Sequence, residues 1–554
     1  MKVLIIGGVA GGATAAARMR RLDERAEIVM FERGEYISFA NCGLPYYIGG
    51  EITDKEELTL QTPDSFNARF NVDVRVQNEV LSINREKKTV TALDLKTGKQ
   101  YEESYDFLVL SPGADPVRPP IQGIDSARVF TLRNIPDTFA IKDFMDSRKP
   151  KTAVVVGGGF IGMEMAENLH AAGLKVTIVE MADQLLAPFD YDMACSIHRR
   201  VRSKGVELLL GNAVKAITDT GKALKITLND SLIETDMLLM SAGVKPESTL
   251  AKHAGLALNE YGYIVTDEFM RTSDSSIYAV GDAVEITDFV LQKKNTVPLA
   301  GPANKQGRIA ADNICGLESR YTGTQGSAIL RVFDMTAATT GLNEKTAKRL
   351  GIKYEKSFTV SGSHAGYFPG ANDMTIKTLF DPENGKILGV QITGKDGVDK
   401  RCDVIAAAMR FGATASDLTR LELCYAPPYS SAKDPVNMAG YVIENILTGK
   451  VRIFHWHDVE TLDKEKVTLL DVRTPEEVEI GAMPGFINIP VDSLRERMSE
   501  LDPQKPVYIT CAVGLRGYVA SRILSQNGFE VSNLSGGYTI WNRVKHCSTK
   551  RDKS

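Results

Sequence analysis

One cysteine near the start of the chain stands in a context that favours redox chemistry. Cys42 lies within residues 38–46, Ser-Phe-Ala-Asn-Cys-Gly-Leu-Pro-Tyr, and the next cysteine along the chain is Cys195. A dithiol reductase closes its own disulfide with a nearby second cysteine. A single cysteine instead forms a mixed disulfide, a persulfide or a sulfenic acid with a molecule that arrives from outside. Cys42 is therefore predicted to be a single redox-active cysteine.

A second cysteine opens a short loop between a predicted strand and a predicted helix. The loop runs from Cys511 through Ala-Val-Gly-Leu to Arg516. Backbone N–H groups of such a loop converge on its centre, and the helix N-terminus adds partial positive charge. Both lower the pKa of a thiol and hold an anionic sulfur. The pattern predicts that Cys511 is catalytic and that Arg516 binds substrate.

The elements that must position Cys42 begin with a glycine-rich turn that occurs twice in the chain. An apolar strand runs into Gly-Gly-Val-Ala-Gly-Gly at residues 7–12 and into Gly-Gly-Gly-Phe-Ile-Gly at residues 157–162, and a helix follows each turn. A second strand then ends in an acid, Glu32 or Glu180, at about the 20-residue distance expected for a ribose hydroxyl contact. In the first turn Val9 replaces the second glycine of the fingerprint. Two copies in register predict two dinucleotide sites; the alternative is that the glycines only tighten helix–strand packing.

Three further strand ends carry residues suited to a polar cofactor, because ligands of parallel sheets bind at the carboxyl ends of strands. The strands at 277–280, 107–110 and 237–240 run into Gly-Asp, Ser-Pro-Gly and Ser-Ala-Gly respectively. The predicted contacts at the first site are Gly7, Gly8, Ala10, Gly11, Gly12, Glu32, Arg33, Ser111, Gly113, Gly281 and Asp282. Those at the second site are Gly157, Gly159, Phe160, Ile161, Gly162, Glu180 and Gly243.

The residue at position 180 predicts which nicotinamide nucleotide binds. A carboxylate accepts hydrogen bonds from the 2′-OH of NADH and repels the 2′-phosphate of NADPH. The next residues, Met181 and Ala182, offer no cation. NADH is therefore expected, with NADPH as the alternative if Lys175 or another basic group folds back.

Composition excludes several classes of protein. The chain has 554 residues, of which 43% are hydrophobic and 25% charged, and a net charge of −4, so nothing favours nucleic acid or an anionic membrane as a partner. The seven cysteines lack paired spacing, which favours a reducing, cytoplasmic compartment over a disulfide scaffold. No apolar run is long enough for a membrane span, the glycines argue against a signal peptide, and no metal site is expected. The cysteines outside the two motifs are interpreted as packing residues, Cys195, Cys315, Cys402 and Cys424, and as part of the tail, Cys547.

These residues together resemble the coenzyme A disulfide reductase branch of the FAD-dependent pyridine nucleotide-disulfide oxidoreductases. The resemblance covers residues 1 to about 446 and is most specific at Ser-Phe-x-x-Cys-Gly-x-Pro. It implies FAD on the first unit, with Gly281 and Asp282 at its ribityl chain, and NAD(P)H on the second. The related NADH oxidases and peroxidases share the lone cysteine but carry a histidine in the first turn, where this chain has Ala10. An oxidase or peroxidase that cycles Cys42 through a sulfenic acid stays as the alternative.

The same resemblance assigns two tyrosines to the site. Tyr367 stands in His-Ala-Gly-Tyr, and Tyr425 begins Tyr-Ala-Pro-Pro-Tyr. In the family these tyrosines approach the active cysteine from the partner subunit, which implies a homodimer. Without the resemblance, buried core tyrosines with satisfied hydroxyls are the simpler interpretation.

Binding of coenzyme A, as substrate or ligand, also requires positive charge for its phosphates. Thr14, Arg18 and Arg21 fall at i, i+4 and i+7, on one face of the first helix. By resemblance this face contacts CoA together with Ser38, Asn41 and Lys433. Phe70 replaces a basic residue that some relatives use, and we expect the adjacent Arg69 to take part. The alternative is a solvated basic stripe.

The C-terminal segment resembles a single-domain rhodanese. The resemblance rests on Asp-Val-Arg at 471–473, on the Cys511 loop, on Gly-Gly at 536–537 and on Trp541. Strands are predicted at 467–472 and 507–510, and a helix at 518–526. Four residues separate Cys511 from Arg516, the spacing of sulfur-transfer loops, whereas cysteine phosphatases of similar fold use five.

The predicted fold class is α/β, with two Rossmann-like domains, an α+β dimerisation domain and an α/β rhodanese domain. The expected boundaries are 1–150 with 272–326 for FAD, 151–271 for NAD(P)H, 327–446 for dimerisation, 447–455 for a linker, 456–545 for the rhodanese and 546–554 for a polar tail. The predicted function is NAD(P)H-dependent reduction of CoA disulfide, CoA persulfide or polysulfide through Cys42, with sulfane sulfur handled at Cys511. A non-catalytic redox sensor that recruits partners is the second alternative.

Overall fold

The structure is a computed structural model that describes residues 1–547. The chain forms two units, Met1–Asp183 with Val206–Gly326, and Gln184–Gly205 with the chain from Ser327 onward. In the part of the chain that the structure describes, no helix combines the length and apolar character that crossing a bilayer requires. Most of the predicted tail lies outside the described residues.

A five-stranded parallel sheet forms the core of the first unit. Its strands, in spatial order, are Ile277–Ala279, Phe107–Leu110, Lys2–Ile6, Glu27–Glu32 and Asp73–Val76. Lys2–Ile6 is central and almost fully buried because its Val-Leu-Ile run is covered on both faces. Helix Gly11–Leu22 packs against helix Ala300–Ile314, and a Cβ at Gly307 would lie only 2.3 Å from the Gly11 carbonyl oxygen. Glycine is needed there so that the two helices can approach each other.

A second parallel sheet repeats this arrangement within the same unit. Its strands, in order, are Glu207–Leu210, Lys175–Glu180, Thr152–Val156, Met237–Met240 and Val129–Phe130. The helix that follows the second glycine-rich turn is Phe160–Ala171, so it begins within residues 157–162. The first strands of both repeats therefore end at a glycine-rich turn, as the sequence predicts.

Smaller elements complete the first unit. Two three-stranded antiparallel sheets and two strand pairs comprise Asn78–Asn84, Thr89–Asp94, Gln100–Ser104; Ala216–Asp219, Leu224–Thr227, Leu232–Thr235; Ala114–Pro116 with Val244–Pro246; and Ile286–Thr287 with Lys294–Asn295. The remaining helices are Leu44–Gly49, Pro63–Phe70, Ile135–Arg148 and Thr249–His253, with short 3-10 helices at Asn41–Gly43 and Lys55–Leu58.

The second unit contains an antiparallel sheet with helices on it. The strands, in order, are Ala328–Val332, Met335–Gly341, Ile387–Gly394, Asp373–Phe380 and Glu355–Gly362. The helices are Glu344–Leu350, Val398–Arg410, Ala415–Leu418, Pro435–Leu447 and Tyr191–Ser203. We expected the last of these in the NAD(P)H domain from its sequence position. It belongs to the second unit because Asp190 and Asp192 form ion pairs with the fully buried Lys377 of this sheet.

The C-terminal part of the second unit has its own parallel sheet. The strands, in order, are Ile453–Phe454, Val531–Leu534, Val507–Thr510, Thr468–Asp471 and Ile487–Asn488. Helices Pro475–Ile480, Leu494–Arg497, Leu515–Ser525 and Gly537–Lys545 accompany it, with 3-10 turns at Val459–Thr461, Val491–Ser493 and Met498–Glu500. The helix predicted at 518–526 begins earlier, because Gly514 ends the loop and starts the helix. The predicted α/β class with these sheet types is confirmed.

The sequence-based interpretation of two cysteines was wrong. Cys195, interpreted as a packing residue, and Cys547, assigned to the tail, form a disulfide across a sequence separation of 352 residues. The spacing of cysteines along the chain gave no signal for this pair. Helix Tyr191–Ser203 and the end of helix Gly537–Lys545 bring the two sulfurs together.

Candidate functional site

The loop that carries Cys42 is attached to the first glycine-rich turn. Cys42 lies in the 3-10 helix Asn41–Gly43 and is exposed. Before it, the Ser38 N–H donates to the Gly8 carbonyl oxygen at 2.9 Å. Ser38 has a φ of 44°, in the left-handed region that serine seldom adopts, so tertiary contacts fix the path of the loop. This places the predicted redox cysteine beside the predicted dinucleotide site.

The surroundings of Cys42 favour its neutral thiol. Although Cys42 is exposed at the surface, neighbouring protein atoms partly desolvate its sulfur, which raises the pKa of Cys42 most, and the negative charges of Glu164 and Asp282 raise it further. Burial, followed by the neighbouring charge of Glu167, raises the pKa of Glu164 itself to about 7. Sequence reasoning missed Glu164, which lies on the helix after the second glycine-rich turn, since only the fold brings that helix near Cys42.

A cavity of about 500 Å³ opens over the first glycine-rich turn. Most of the residues predicted for the first site line it: Gly7, Gly8, Ala10, Gly11, Glu32, Arg33, Ser111, Gly113, Gly281 and Asp282. Asn41 lines it as well. Gly12 serves packing instead, because a Cβ there would lie 1.9 Å from the Gly7 carbonyl oxygen. Ala10, which starts the helix, has a φ of 36° and a ψ of −93°.

The polar groups of this cavity fit FAD. Glu32 accepts hydrogen bonds from the Gly8 and Gly34 N–H groups at 3.0 and 2.8 Å, which holds its carboxylate at the end of the second strand, where a ribose is expected. Asp282 lines the cavity, and within residues 1–547 its carboxylate has neither a hydrogen bond nor an ion pair. Burial raises the pKa of Asp282, and the Arg133 charge opposes that rise. An unpartnered acid of this kind suits the hydroxyl groups of a cofactor chain.

Arg133 is a cavity residue that sequence reasoning missed. Its guanidinium donates to the Pro112 carbonyl oxygen at 3.1 Å and forms an ion pair with Asp115. Burial and the nearby Arg33 lower its pKa. No motif surrounds it in the sequence, so only its position in the fold identifies it.

The second glycine-rich turn has matching geometry. Glu180 accepts from the Gly158 N–H at 2.6 Å and from the Ala182 N–H at 2.8 Å, as Glu32 does in the first repeat. No atom lies within 4 Å of the position that a Cβ at Gly159 would take, so the space above the turn is clear for a pyrophosphate. The same open space surrounds Gly243, whereas Gly162 packs on Gly157. Phe160 and Ile161 begin the helix. The turn therefore fits a nicotinamide nucleotide.

The structure brings the two predicted tyrosines together. The hydroxyl oxygens of Tyr367 and Tyr425 are 2.8 Å apart, and the two residues are 76% and 48% exposed. The interpretation as buried core tyrosines is therefore wrong. This hydrogen bond is the main cause of a raised pKa for Tyr367. The two surface hydroxyls therefore form a hydrogen-bonded pair that can donate one further hydrogen bond to a ligand.

A buried arginine fixes the loops that carry this pair, and sequence reasoning missed it. Arg401, 1% exposed, donates to the Ser363 carbonyl oxygen at 3.0 Å and forms an ion pair with Asp434 at 2.9 Å. It also donates to Ser430, whose carbonyl oxygen accepts from the Ala365 N–H at 3.0 Å. Both tyrosine loops are therefore joined to one guanidinium.

Cys511 lies at the centre of a closed loop. Its sulfur is buried and accepts a hydrogen bond from the Gly514 N–H at 3.1 Å. Gly514 has a φ of 103°, which only glycine adopts without strain. The carbonyl oxygen of Cys511 accepts a hydrogen bond from the Tyr538 N–H at 2.8 Å, so helix Gly537–Lys545 begins against the loop. The loop geometry suits an anionic sulfur at residue 511.

Two arginines surround this loop. Arg516 donates both guanidinium nitrogens to Glu477, at 2.6 and 2.7 Å, and this pairing lowers the Glu477 pKa to about 2. Arg473 forms a buried ion pair with Asp471 at 2.7 Å and stacks on the Tyr538 ring at 4.0 Å. Glu477 was missed, although it forms a capping box with Thr474, three residues before it, that a sequence pattern reveals.

The residues predicted for coenzyme A fall into two groups. Arg21, Asn41, Arg69 and Lys433 are exposed, and Ser38 is half-buried. Arg18 instead forms an ion pair with Asp312 at 2.6 Å, and Thr14 donates to Asn304. The structure therefore balances the charge of Arg18 internally and leaves the other cations facing solvent.

Three family models match the chain. Residues 1–307 match the pyridine nucleotide-disulphide oxidoreductase model, and residues 327–435 match the dimerisation domain of the same family. Residues 459–543 match the rhodanese-like domain. The matched segments include Cys42, the tyrosine pair and the Cys511 loop.

Individual relatives agree with these models. The coenzyme A disulfide reductase of Staphylococcus haemolyticus (strain JCSC1435) is 36% identical over 441 residues, which covers 79% of this chain and 98% of the relative. The crystal structure of reduced Bacillus anthracis CoADR-RHD is 51% identical, covers 98% of both chains and superposes with a TM-score of 0.96. A NAD-dependent persulfide reductase from A. fulgidus is 38% identical, covers 98% of this chain and 100% of its own, and has a TM-score of 0.91.

Proposed function

From the premise that this chain belongs to the pyridine nucleotide-disulphide oxidoreductase family and carries a rhodanese-like domain, we propose that it reduces sulfur–sulfur bonds with electrons from NADH. The acceptors are CoA disulfide, CoA persulfide or polysulfide, and Cys42 is the residue that they meet. One observation carries the proposal: a single cysteine lies on a loop that is hydrogen-bonded to the glycine-rich turn of a cavity fit for FAD.

The glycine-rich turn, Glu32 and Asp282 would hold FAD in the first cavity, and Glu180 would hold NADH at the second turn. When bound, the two cofactors supply the two electrons that reopen the Cys42 mixed disulfide. The chain holds these groups with backbone N–H donors at helix N-termini and with carboxylates at strand ends. The loop around Cys42, held to the first glycine-rich turn by Ser38, positions the reacting sulfur.

Cys42 reacts as a thiolate. Its sulfur attacks one sulfur of a CoA disulfide, the sulfur–sulfur bond breaks, one CoA leaves as a thiolate and the other stays on Cys42 as a mixed disulfide. With CoA persulfide, attack on the outer sulfur leaves a Cys42 persulfide and releases the CoA thiolate. Desolvation of the sulfur raises the pKa of Cys42 most, and the charges of Glu164 and Asp282 raise it further, so the free protein favours the thiol over the thiolate.

The tyrosine pair assists the departing thiolate. Because the pKa of Tyr367 is raised, its hydroxyl stays protonated and can donate a hydrogen bond or a proton. The pair is exposed on its own chain, which fits a site completed in trans. We therefore include a homodimer in the proposal, with Tyr367 and Tyr425 serving Cys42 of the other subunit.

Recognition of CoA uses the exposed cations. Arg21, Arg69 and Lys433 are exposed and would meet the phosphates, with Ser38 and Asn41 next to Cys42 near the pantetheine arm. Thr14 and Arg18 support this face of the helix through Asn304 and Asp312. The proposal also includes the predicted domain boundaries, apart from residues 184–205, which lie in the second unit. It includes a cytoplasmic location, whose reducing environment suits the free thiols of Cys42 and Cys511.

The Cys511 thiolate attacks the outer sulfur of a donor such as thiosulfate, the sulfur–sulfur bond of the donor breaks and sulfite leaves. The resulting Cys511 persulfide then passes its outer sulfur to a thiol. The Gly514 N–H stabilises the anionic sulfur of Cys511. The Arg516 guanidinium, once released from Glu477, binds the anionic sulfur donor. Tethering two active sites raises the effective concentration of each at the other, to about millimolar for short linkers. We propose that sulfane sulfur from Cys511 reaches Cys42 and is reduced to sulfide.

The test is anaerobic NADH oxidation with CoA disulfide, CoA persulfide or polysulfide as the acceptor. Cys42→Ser is expected to lose all turnover while FAD stays bound, and Cys315→Ser, at a half-buried free cysteine, is the matched control. Near wild-type turnover in Cys42→Ser would refute the proposal. Turnover only with oxygen or peroxide would favour the oxidase alternative.

The sulfur relay has its own readout. Cys511→Ser is expected to lower sulfide release with thiosulfate or polysulfide as the donor, and to leave CoA disulfide reduction intact. Unchanged sulfide release with every donor would leave two independent active sites in one chain.

A further inference from the structure

The second unit also contains a buried cluster of three side chains, Cys195, His198 and Cys547. Their side chains offer one nitrogen and two sulfurs within 4.8 Å of one another, and the residues are 1%, 0% and 6% exposed. The two sulfurs form a disulfide. Two cysteines and a histidine are also ligands that zinc prefers, so the cluster has two possible chemical identities.

A backbone contact decides between them. The Leu185 N–H donates to Nε2 of His198 at 3.0 Å, so Nε2 is the unprotonated ring nitrogen. Because Nε2 accepts this hydrogen bond it carries no proton, so the ring is neutral and has a single N–H on its other nitrogen. That N–H is on Nδ1, which lies 3.2 Å from the Cys547 sulfur. To bind zinc beside the two sulfurs, Nδ1 would have to be unprotonated. Because Nδ1 carries the ring proton, the cluster is a disulfide with a hydrogen-bond donor and not a zinc site.

We propose that Cys195 and Cys547 are a second redox centre, a reversible disulfide in which His198 Nδ1–H stabilises Cys547 as the leaving thiolate. To open it, an external thiolate RS⁻ attacks the Cys195 sulfur, an RS–Cys195 disulfide bond forms, the Cys195–Cys547 bond breaks and Cys547 departs as a thiolate. A second RS⁻ then attacks the RS sulfur, releases the Cys195 thiolate and leaves as RS–SR. To close it, a small disulfide RS–SR is attacked by Cys195, one RS⁻ leaves, and Cys547 then displaces the second RS⁻. Two cysteines lose two electrons, and one small disulfide gains them.

The position of the disulfide links it to the sulfur-transfer loop. Helix Gly537–Lys545 begins on that loop, where the Tyr538 and Thr539 N–H groups donate to the carbonyl oxygens of Cys511 and Ala512 at 2.8 and 2.9 Å. The same helix ends two residues before Cys547. The helix has 9 residues and rises about 1.5 Å per residue, so one short rigid helix connects the disulfide to the sulfur-transfer loop.

Contacts along the helix show what the disulfide adds. In the middle of the helix, Arg543 donates to the Thr375 hydroxyl at 3.2 Å. At its end, the Cys547 carbonyl oxygen accepts from Arg202 at 3.4 Å, a long hydrogen bond, so the disulfide is the strong attachment to helix Tyr191–Ser203. Opening the disulfide removes that attachment, and the proposal is that sulfur transfer at Cys511 then changes.

The first test measures the disulfide itself. Full-length protein is equilibrated in buffers of oxidised and reduced glutathione, alkylated and digested, and the Cys195–Cys547 cross-link is quantified by mass. We expect complete cross-linking in the oxidised buffer and loss in the reduced one over minutes to hours, since both sulfurs are buried. Free alkylation of both cysteines in every buffer, or one zinc ion per chain in the purified protein, would overturn the proposal.

The second test addresses His198 as a positioning residue. His198→Leu is expected to slow opening by a thiol about tenfold, because a hydrogen bond to a charged sulfur is lost. His198→Asn places an amide N–H near the former Nδ1 and should restore most of the rate. Equal slowing in both variants would mean that His198 serves packing alone.

The third test reads the link to Cys511 and rests on the proposed sulfurtransferase role. Thiosulfate–cyanide transfer is compared in oxidised and reduced protein, with Cys195→Ser as a permanently open form and Cys402→Ser, at another buried free cysteine, as the control. We expect at least about a twofold difference between the closed and open forms, together with a lower melting temperature of the open form. Equal rates would overturn the link to the loop. Absence of any transfer activity in either form would instead count against the proposed role of Cys511, because the cross-link is scored by mass and not by activity.

Discussion

At the scale of single residues, the acid–base state of Cys42 is the central question. A cysteine must be a thiolate to attack a disulfide, yet the chain places two carboxylates near Cys42. Glu164 is itself neutral below a pKa of about 7. Protonation of Glu164 and ionisation of Cys42 are therefore coupled.

We expect Glu164→Gln to lower the pKa of the Cys42 thiol because it removes one of the two charges that raise it. In cofactor-free protein, the rate of Cys42 alkylation by iodoacetamide at pH 8 should rise about threefold, the size expected for a modest change in pKa. Below pH 7 the rates of variant and wild type should converge, because Glu164 is then neutral in the wild type as well. Glu260→Gln, at an exposed position, is the control. A rate difference that persists at pH 6 would contradict this origin.

We also expect the choice of nicotinamide nucleotide to depend on one residue, Glu180. Glu180 is held by two backbone N–H groups, and its neighbour Met181 is 76% exposed and uncharged. We expect a higher kcat/KM for NADH than for NADPH. In Glu180→Ala the ratio of these two values should fall about tenfold or more, because the repulsion of the 2′-phosphate is lost. Lys175→Ala tests whether a distant cation contributes. A clear NADPH preference in the wild type would disprove the assignment.

At the scale of elements, a buried charge cluster holds the second unit together. Lys377, fully buried on strand Asp373–Phe380, meets Asp190, Asp192 and Glu344 at 2.8 to 3.0 Å. The Lys377 and Lys356 charges hold the pKa of Glu344 far below its usual range, and the three acids raise that of Lys377. The cluster joins a helix from the middle of the chain to the antiparallel sheet.

Removing one charge of this cluster should destabilise the second unit. Glu344→Gln is expected to cost about 3 kcal/mol, because a buried cation keeps fewer partners. Since the folded pKa of Glu344 is depressed, its contribution is complete above the usual carboxyl value of 4.5 and declines as the pH falls below it. The difference between variant and wild type in urea unfolding should therefore shrink between pH 5 and pH 3.

The matched control is Glu383→Gln, which removes an exposed partner of Lys353 at 2.6 Å. Both of those side chains are 70% exposed, so solvent screens the pair and the substitution should change the free energy of unfolding far less than Glu344→Gln does. Equal effects of the two substitutions would mean that the buried cluster contributes no more than a surface pair.

At the scale of the whole molecule, the proposed homodimer determines which chain completes each active site. The tyrosine pair is largely exposed on its own chain and would serve Cys42 of the other subunit. This arrangement predicts complementation between two inactive variants, which a site built within one chain does not.

We expect heterodimers of Cys42→Ser with the double variant Tyr367→Phe, Tyr425→Phe to regain about half of the wild-type CoA disulfide turnover. In such a heterodimer, one site has lost both its cysteine and its tyrosines, and the other keeps both. Differently tagged chains, purified through both tags, provide the sample. The two parent homodimers, which lack turnover or have low turnover, are the controls. If the heterodimer is no more active than half of the tyrosine variant, the tyrosines act within their own chain.

The sequence alone determined the features that depend on local pattern. The two glycine-rich turns, the acids Glu32 and Glu180, and the loop from Cys511 to Arg516 lie where their spacing predicted, because strand, turn and helix N-terminus are encoded by neighbouring residues. The α/β class follows from the same alternation of strands and helices.

The tertiary structure alone decided the features that join distant segments. Glu164 beside Cys42, Arg401 beneath both tyrosine loops and the disulfide between Cys195 and Cys547 are contacts between residues far apart in the chain. Buried charges and cysteines take their chemistry from whatever partner the fold brings within a few ångströms, and no local pattern encodes that partner. For this reason Cys195 resembled a packing residue in the sequence and is a cross-linked residue in the structure.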